Sequence, residues 1–178
     1  MLKTSGRLIT DYIRDFSIET VMLNFGIMGT FLLALVLIFQ IPLNGIIFGS
    51  IIAILGCAAF GLHIKNVLPV WIGCAIAILL KLAIRDGFYL DPVTDLSMIV
   101  AFIFASGLAP ISGKYGIVYG LVGGFMHIVL TPLMISLQGG FDLYNNGFSA
   151  GFEASILAVA AEKIFNKERK YAKKSKGV

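Results

Sequence analysis

Six stretches of the chain are almost free of charge and long enough to cross a bilayer: Val21–Gln40, Gly45–Leu62, Val67–Ile84, Asp95–Ile111, Tyr115–Gln138 and Gly147–Phe165. A hydrocarbon core about 30 Å thick takes roughly 17 to 25 mostly apolar residues per helix. Of the 178 residues 58% are hydrophobic and 13% charged, and a soluble domain of this size has too little interior to hide so much apolar surface. Within lipid the backbone finds no water to bond, so each stretch is expected to be helical. The fold class follows as all-α: a polytopic membrane protein of about six transmembrane helices.

The remaining residues sort by charge. Residues 1–20 hold Lys3, Arg7, Asp11, Arg14, Asp15 and Glu19, too acidic for the leading part of a secretory signal. Leu8, Ile9, Tyr12, Ile13 and Phe16 share one helical face, which predicts a cytoplasmic amphipathic helix lying at the membrane surface. Residues 21–165 then form the membrane domain and 166–178 a basic cytoplasmic tail. With both termini cytoplasmic, the inside carries Lys3, Arg7, Arg14, Lys65, Lys114 and the tail, while the outside carries Lys81 and Arg85 beside Asp86, Asp91 and Asp95. That asymmetry obeys the positive-inside rule and points to the cell membrane. The net charge of +4 comes largely from Lys163 to Lys176, which suits anionic lipid and gives no ground for nucleic-acid binding. Cys57 and Cys74 lie in apolar stretches without metal-ligand spacing, so they read as packing thiols, and neither a metal nor a cofactor is expected.

Small residues and prolines suggest how the helices meet. Gly116, Gly120 and Gly124 recur at every fourth position, as do Gly45 and Gly49, and Gly147 with Gly151 and Ser155. Such stripes let helix backbones approach, so the second, fifth and sixth spans are expected to form an inner group. Pro69, the Ala109–Gly113 string that closes the fourth span, and Thr131–Pro132 in the fifth mark candidate broken or half helices. Asn66 before the third span and Asn145–Asn146 before the sixth fit a 3+3 inverted repeat.

Five polar residues stand out within or beside these spans. Glu153, about two turns into the sixth helix, reads either as a proton or cation site or as a carboxylate protonated or bonded between helices. His127 shares its helical face with Gly120, Gly124 and Thr131, and reads either as a proton shuttle or as a neutral interhelical partner. Asn145 and Asn146 can cap the sixth helix, and Asn66 the third; their amides can also bind a small neutral polar solute. No Ser-His-Asp order, paired carboxylates or phosphate loop is present, so the chain is not expected to be an enzyme.

Four strings together resemble a known family. They are Leu43-Asn44-Gly45; Ala59-Phe60-Gly61 running through His63, Lys65-Asn66-Val67-Leu68-Pro69-Val70; Leu108-Ala109-Pro110-Ile111-Ser112-Gly113-Lys114-Tyr115-Gly116; and Gly139-Gly140 with Leu143-Tyr144-Asn145-Asn146-Gly147-Phe148. The chain resembles the uncharacterised prokaryotic integral-membrane family called domain of unknown function 1576. That family supplies no activity or site residue to carry over. Its longer members resemble two copies of this unit, which implies a second copy as partner, in a homo-oligomer. Gln138 and Asp142 stand where the family pattern suggests histidine and asparagine.

The expected function is a transporter-like or channel-like protein that binds a small polar solute through Asn145, Asn146, Asn66 and Glu153, with His127 linked to protonation. The alternative is a non-transporting scaffold that pairs with a second copy or another membrane protein.

Overall fold

The computed structural model describes residues 1–6, 11–86, 96–137 and 145–175. None of these is in a strand. Residues 1–6 form a short non-helical arm. Asp11 then starts α1 (Tyr12–Phe16) by accepting the Arg14 N–H at 3.1 Å, an N-cap bond. The helical part of the expected surface segment is thus five residues long, and residues 7–10 lie outside the description. Ser17, at φ 70°, turns the chain into α2 (Ile18–Ile38).

Asn44 caps α3 (Gly45–Ala59) by accepting the Ile46 and Ile47 N–H groups at 3.0 Å each. A turn at Gly61 leads to α4 (Ile64–Asp86). Next, α5 (Leu96–Phe104) passes through a 3₁₀ turn (Ala105–Leu108) into α6 (Ala109–Tyr115). The chain continues through Gly116 into α7 (Ile117–Leu137) and ends in α8 (Asn145–Ser175).

Among the described residues, four helical runs are long and apolar enough to cross a membrane: Ile18–Ile38, Ile64–Ile84, Leu96–Tyr115 and Ile117–Met134. The other two expected spans are helical but fall short for different reasons. α3 has 15 residues, about 22 Å at the usual helical rise, against a hydrocarbon core of about 30 Å. α8 has 31 residues, but it opens on Asn145–Asn146 and carries Glu153 and Glu162 along its length. The outward faces suit lipid: Leu37, Ile84 and Val159 are each at least 70% exposed.

One largely apolar core and one polar tie hold the first half together. Trp71 of α4 lies between Phe31 of α2 and Phe102 of α5, with ring centroids 5.5 and 5.8 Å away and planes within 7° and 13°. Offset stacks of this kind add about 0.5–1.5 kcal/mol per pair beyond the buried area. Met28, Leu32, Ile47 and Ile51 pack into the same core. Asn24, buried in α2, donates its amide to the carbonyls of Ala58 and Leu62 at 2.9 and 2.8 Å. It thereby ties α2 to carbonyls at the end of α3 and in the turn that follows it.

The tightest helix pair differs from the expected one. α4 crosses α7, and the space where a Cβ on Gly124 would stand is filled by the Val70 carbonyl, as that beside Gly73 is by the Leu121 carbonyl. Gly120 meets Pro69 and Ser112. The stripe on α7 is therefore used, but against the third span. Among the described residues nothing meets Gly45, Gly49, Gly147 or Gly151, so α3 does not join α7 and α8 through its glycines. A stripe allows close approach only where the opposite helix is also narrow, and Gly73 provides that on α4.

The prolines also sit differently from expectation. Pro110 does not close the fourth span. The break is the 3₁₀ turn just before it, and Pro110 stands in the first turn of α6, which runs on to Tyr115. Proline fits there because its absent N–H would have no helical partner. α7 continues through Pro132 to Leu137, with one rung of its ladder deleted.

Candidate functional site

The centre of the second half is polar. Packing of α4 on α7 and of α7 on α8 seals His127 and Glu153 from every surface, and both are 0% exposed. His127 Nδ1 lies 3.0 Å from Glu153 Oε2. Ser149, one turn before Glu153 on α8, donates its hydroxyl to Glu153 Oε1. Thr131, one turn after His127 on α7, donates to Ser149 Oγ at 3.3 Å. Spacing of i to i+4 on both antiparallel helices stacks these four side chains as two facing rungs.

An ionised carboxylate in an apolar interior costs several kcal/mol unless it is paired and bonded. Here each Glu153 oxygen has a polar partner. A proton on either facing atom makes the contact a hydrogen bond. His127 Nε2, the other ring nitrogen, is buried with no bonding partner among the described residues, so the imidazole keeps one atom available to an incoming group. On the α4 side, Cys74 donates its thiol to the Gly124 carbonyl at 3.2 Å. Among the described residues, no three of His, Cys, Asp or Glu come together as metal ligands.

Asn145 and Asn146 stand at the start of the same helix, about 12 Å from Glu153 by helical rise. Asn145 Oδ1 accepts the Asn146 N–H at 2.9 Å. Asn146 Oδ1 is buried without a partner among the described residues. Asn145, Ser149 and Glu153 recur at every fourth position of α8, so one polar stripe leads from the helix start to the buried pair. Residues 138–144, including Gln138, the Gly139–Gly140 pair and Asp142, lie outside the described residues.

The structure does not bring Asn66 to this place. Asn66 Oδ1 accepts the His63 N–H at 2.9 Å, and His63 Nδ1 accepts the Asn66 N–H at 3.2 Å, a reciprocal capping arrangement at the start of α4. The Asn66 amide donates to the carbonyls of Gly61 at 3.1 Å and Ser5 at 3.4 Å. Ser5 packs on Gly113, and the adjacent Lys114 pairs with Glu162 at 3.0 Å. Glu162 lies 17 residues along α8 from Asn145, about 25 Å by helical rise. Asn66 and the asparagine pair therefore belong to opposite ends of the bundle.

A family model described as protein of unknown function (DUF1576) matches residues 1–163. The chain belongs to this family. No curated protein and no solved structure matched it. Two of the strings that carry the resemblance to DUF1576, those holding Gly61, His63 and Asn66 and those holding Ser112 and Gly113, meet around the N-terminal arm. A third contains Asn145 and Asn146 and lies at the other end.

Ser149 and Thr131 complete the buried cluster, yet hydroxyls alone gave no reason to select them. The available signal was their spacing: Ser149 is four residues before Glu153, and Thr131 four after His127.

Proposed function

We propose that this DUF1576 protein binds a small polar solute and passes it across the cell membrane, with proton transfer at His127 and Glu153 linked to that movement. The observation that carries the reading is the fully buried His127–Glu153 contact, joined to Ser149 and Thr131 and left with a ring nitrogen that no described residue bonds. Ionisable groups within a membrane bundle commonly mark proton relays and solute paths. The stripe from Asn145 supplies amide groups able to donate and accept at its entry. In this reading all six helical stretches cross the membrane, with a 3+3 repeat, both termini lie in the cytoplasm, and no covalent chemistry occurs.

The test is thermal stability and liposome flux of the wild type, Glu153→Gln and Asn146→Ala, against urea, amides, amino acids, nucleobases and common ions. A solute that binds the folded state raises stability by about 2.7 kcal/mol at a hundredfold excess over its dissociation constant. The expected result is one solute class that stabilises and crosses with the wild type but not with Glu153→Gln. Unchanged binding and flux in both variants would overturn the assignment.

One observation favours a second reading, that of a scaffold. The Gly45–Gly49 and Gly147–Gly151 faces are open, free for a helix of a second copy or of another membrane protein. Native mass measurement in a mild detergent distinguishes them: a stable dimer broken by Gly151→Leu, with no solute response, would favour the scaffold.

A further inference from the structure

The N-terminal arm is held by a device of its own, at the end of the bundle remote from Asn145. Its backbone makes the contacts. The Thr4 carbonyl lies 3.1 Å from His63 Nε2, and the Ser5 carbonyl accepts from the Asn66 amide. Thr4 also folds the arm on itself, its N–H and hydroxyl both bonding the Met1 carbonyl at 2.9 and 2.8 Å. Tyr12 of α1 donates to Thr4 Oγ1 at 3.3 Å, while its ring covers Gly61. Ser5 lies so close to α6 that a Cβ on Gly113 would stand 2.7 Å from the Ser5 Cα.

His63 is the pivot because both of its ring nitrogens are used, and in opposite senses. Nε2 faces a carbonyl, so it carries the proton. Nδ1 accepts the Asn66 N–H, so it must not. The docked arm thus requires neutral imidazole in one tautomer. Burial pushes the His63 pKa below its ordinary value; the bond to the Thr4 carbonyl, the next largest effect, opposes it, and the Met1 ammonium and Lys65 add smaller effects in the direction of burial. No carboxylate is among the groups that act on it. Around it, Tyr12 is turned to Thr4, and Lys114 of α6 is bonded to Tyr115 and Glu162.

We propose that His63 is an acid-sensitive latch that holds the N-terminal arm against α4 and α6 when neutral and releases it when protonated. A proton on Nδ1 turns the acceptor into a second donor facing the Asn66 N–H, which keeps only its 3.1 Å bond to the His63 carbonyl, and the reciprocal cap loosens. It also adds a cation beside the Met1 ammonium and Lys65. Asn66 then turns from Ser5, and the arm leaves Gly113. This latch does not depend on the His127–Glu153 reading, and its test involves no solute.

The experiment is hydrogen exchange of the Thr4–Gly6 amides, corrected for intrinsic pH dependence, on the full chain in lipid nanodiscs. We expect about a tenfold loss of protection between about pH 7.5 and about pH 4.5 in the wild type. His63→Asn keeps a side-chain acceptor for the cap but cannot titrate in this range, so its protection is expected to stay level. Wild-type protection that changes less than about twofold, or a His63→Asn response with the wild-type midpoint, would overturn the latch. Should His63→Asn fail to fold, imidazole NMR of the wild type serves instead. A His63 midpoint that coincides with arm release supports the latch, and one displaced by about a pH unit or more overturns it.

Discussion

The Val70 carbonyl occupies the place where a side chain on Gly124 would begin. Any substituent there must force α4 and α7 apart. Gly124→Ala is expected to destabilise the protein by about 1–3 kcal/mol, whereas Gly147→Ala, which meets open space, should stay within about 0.5 kcal/mol. Thermal melting in one detergent checks the contrast, and equal losses would contradict the α4–α7 crossing.

The buried pair has a sharper signature. His127→Leu leaves Glu153 without its imidazole partner, a change expected to cost about 3–5 kcal/mol. The double variant His127→Leu with Glu153→Leu removes both polar groups and should recover much of that loss. A denaturation cycle over the two single variants and the double variant measures the coupling, and simple additivity would mean the contact is not made in the folded protein.

Asn24 offers a test far from the pair. Asn24→Leu keeps the apolar surroundings but strips the Ala58 and Leu62 carbonyls of their shared donor. We expect a loss of about 1–3 kcal/mol, read from the melting midpoint. A neutral result would show that water or local backbone bonds take over at the end of α3.

His63 sets a pH dependence of overall stability. Its folded pKa is lowered from 6.5, so above that value neither state holds the proton and the group contributes no difference. As the pH falls through 6.5, the unfolded chain takes up a proton that the folded chain refuses. Stability then declines until the pH passes below the folded pKa. Melting midpoints should therefore fall with acidification more steeply in the wild type than in His63→Asn.

The helical stretches were legible because membrane hydropathy depends on length and composition, both visible in the string. Which faces meet was less so. Lipid-facing and core-facing positions are equally apolar, as Leu37 and Leu32 of α2 illustrate, so periodicity does not separate them. His127 could be placed on an interhelical face because Gly120, Gly124 and Thr131 share it. Its meeting with Glu153 required the pairing of α7 with α8, which no local pattern encodes. The position of Asn66 was hidden for another reason: its partners outside the cap are the backbone carbonyls of Ser5 and Gly61, which leave no mark in side-chain identity.

The chain contains one tryptophan, and the fold has put it where α2, α4 and α5 converge. Trp71 is therefore a built-in optical reporter. Its indole is shielded from water and lies face to face with Phe31 and Phe102, so parting of α2 or α5 from α4 alters the surroundings of the chromophore. Emission from the unlabelled protein can follow that movement directly, on any timescale the instrument resolves.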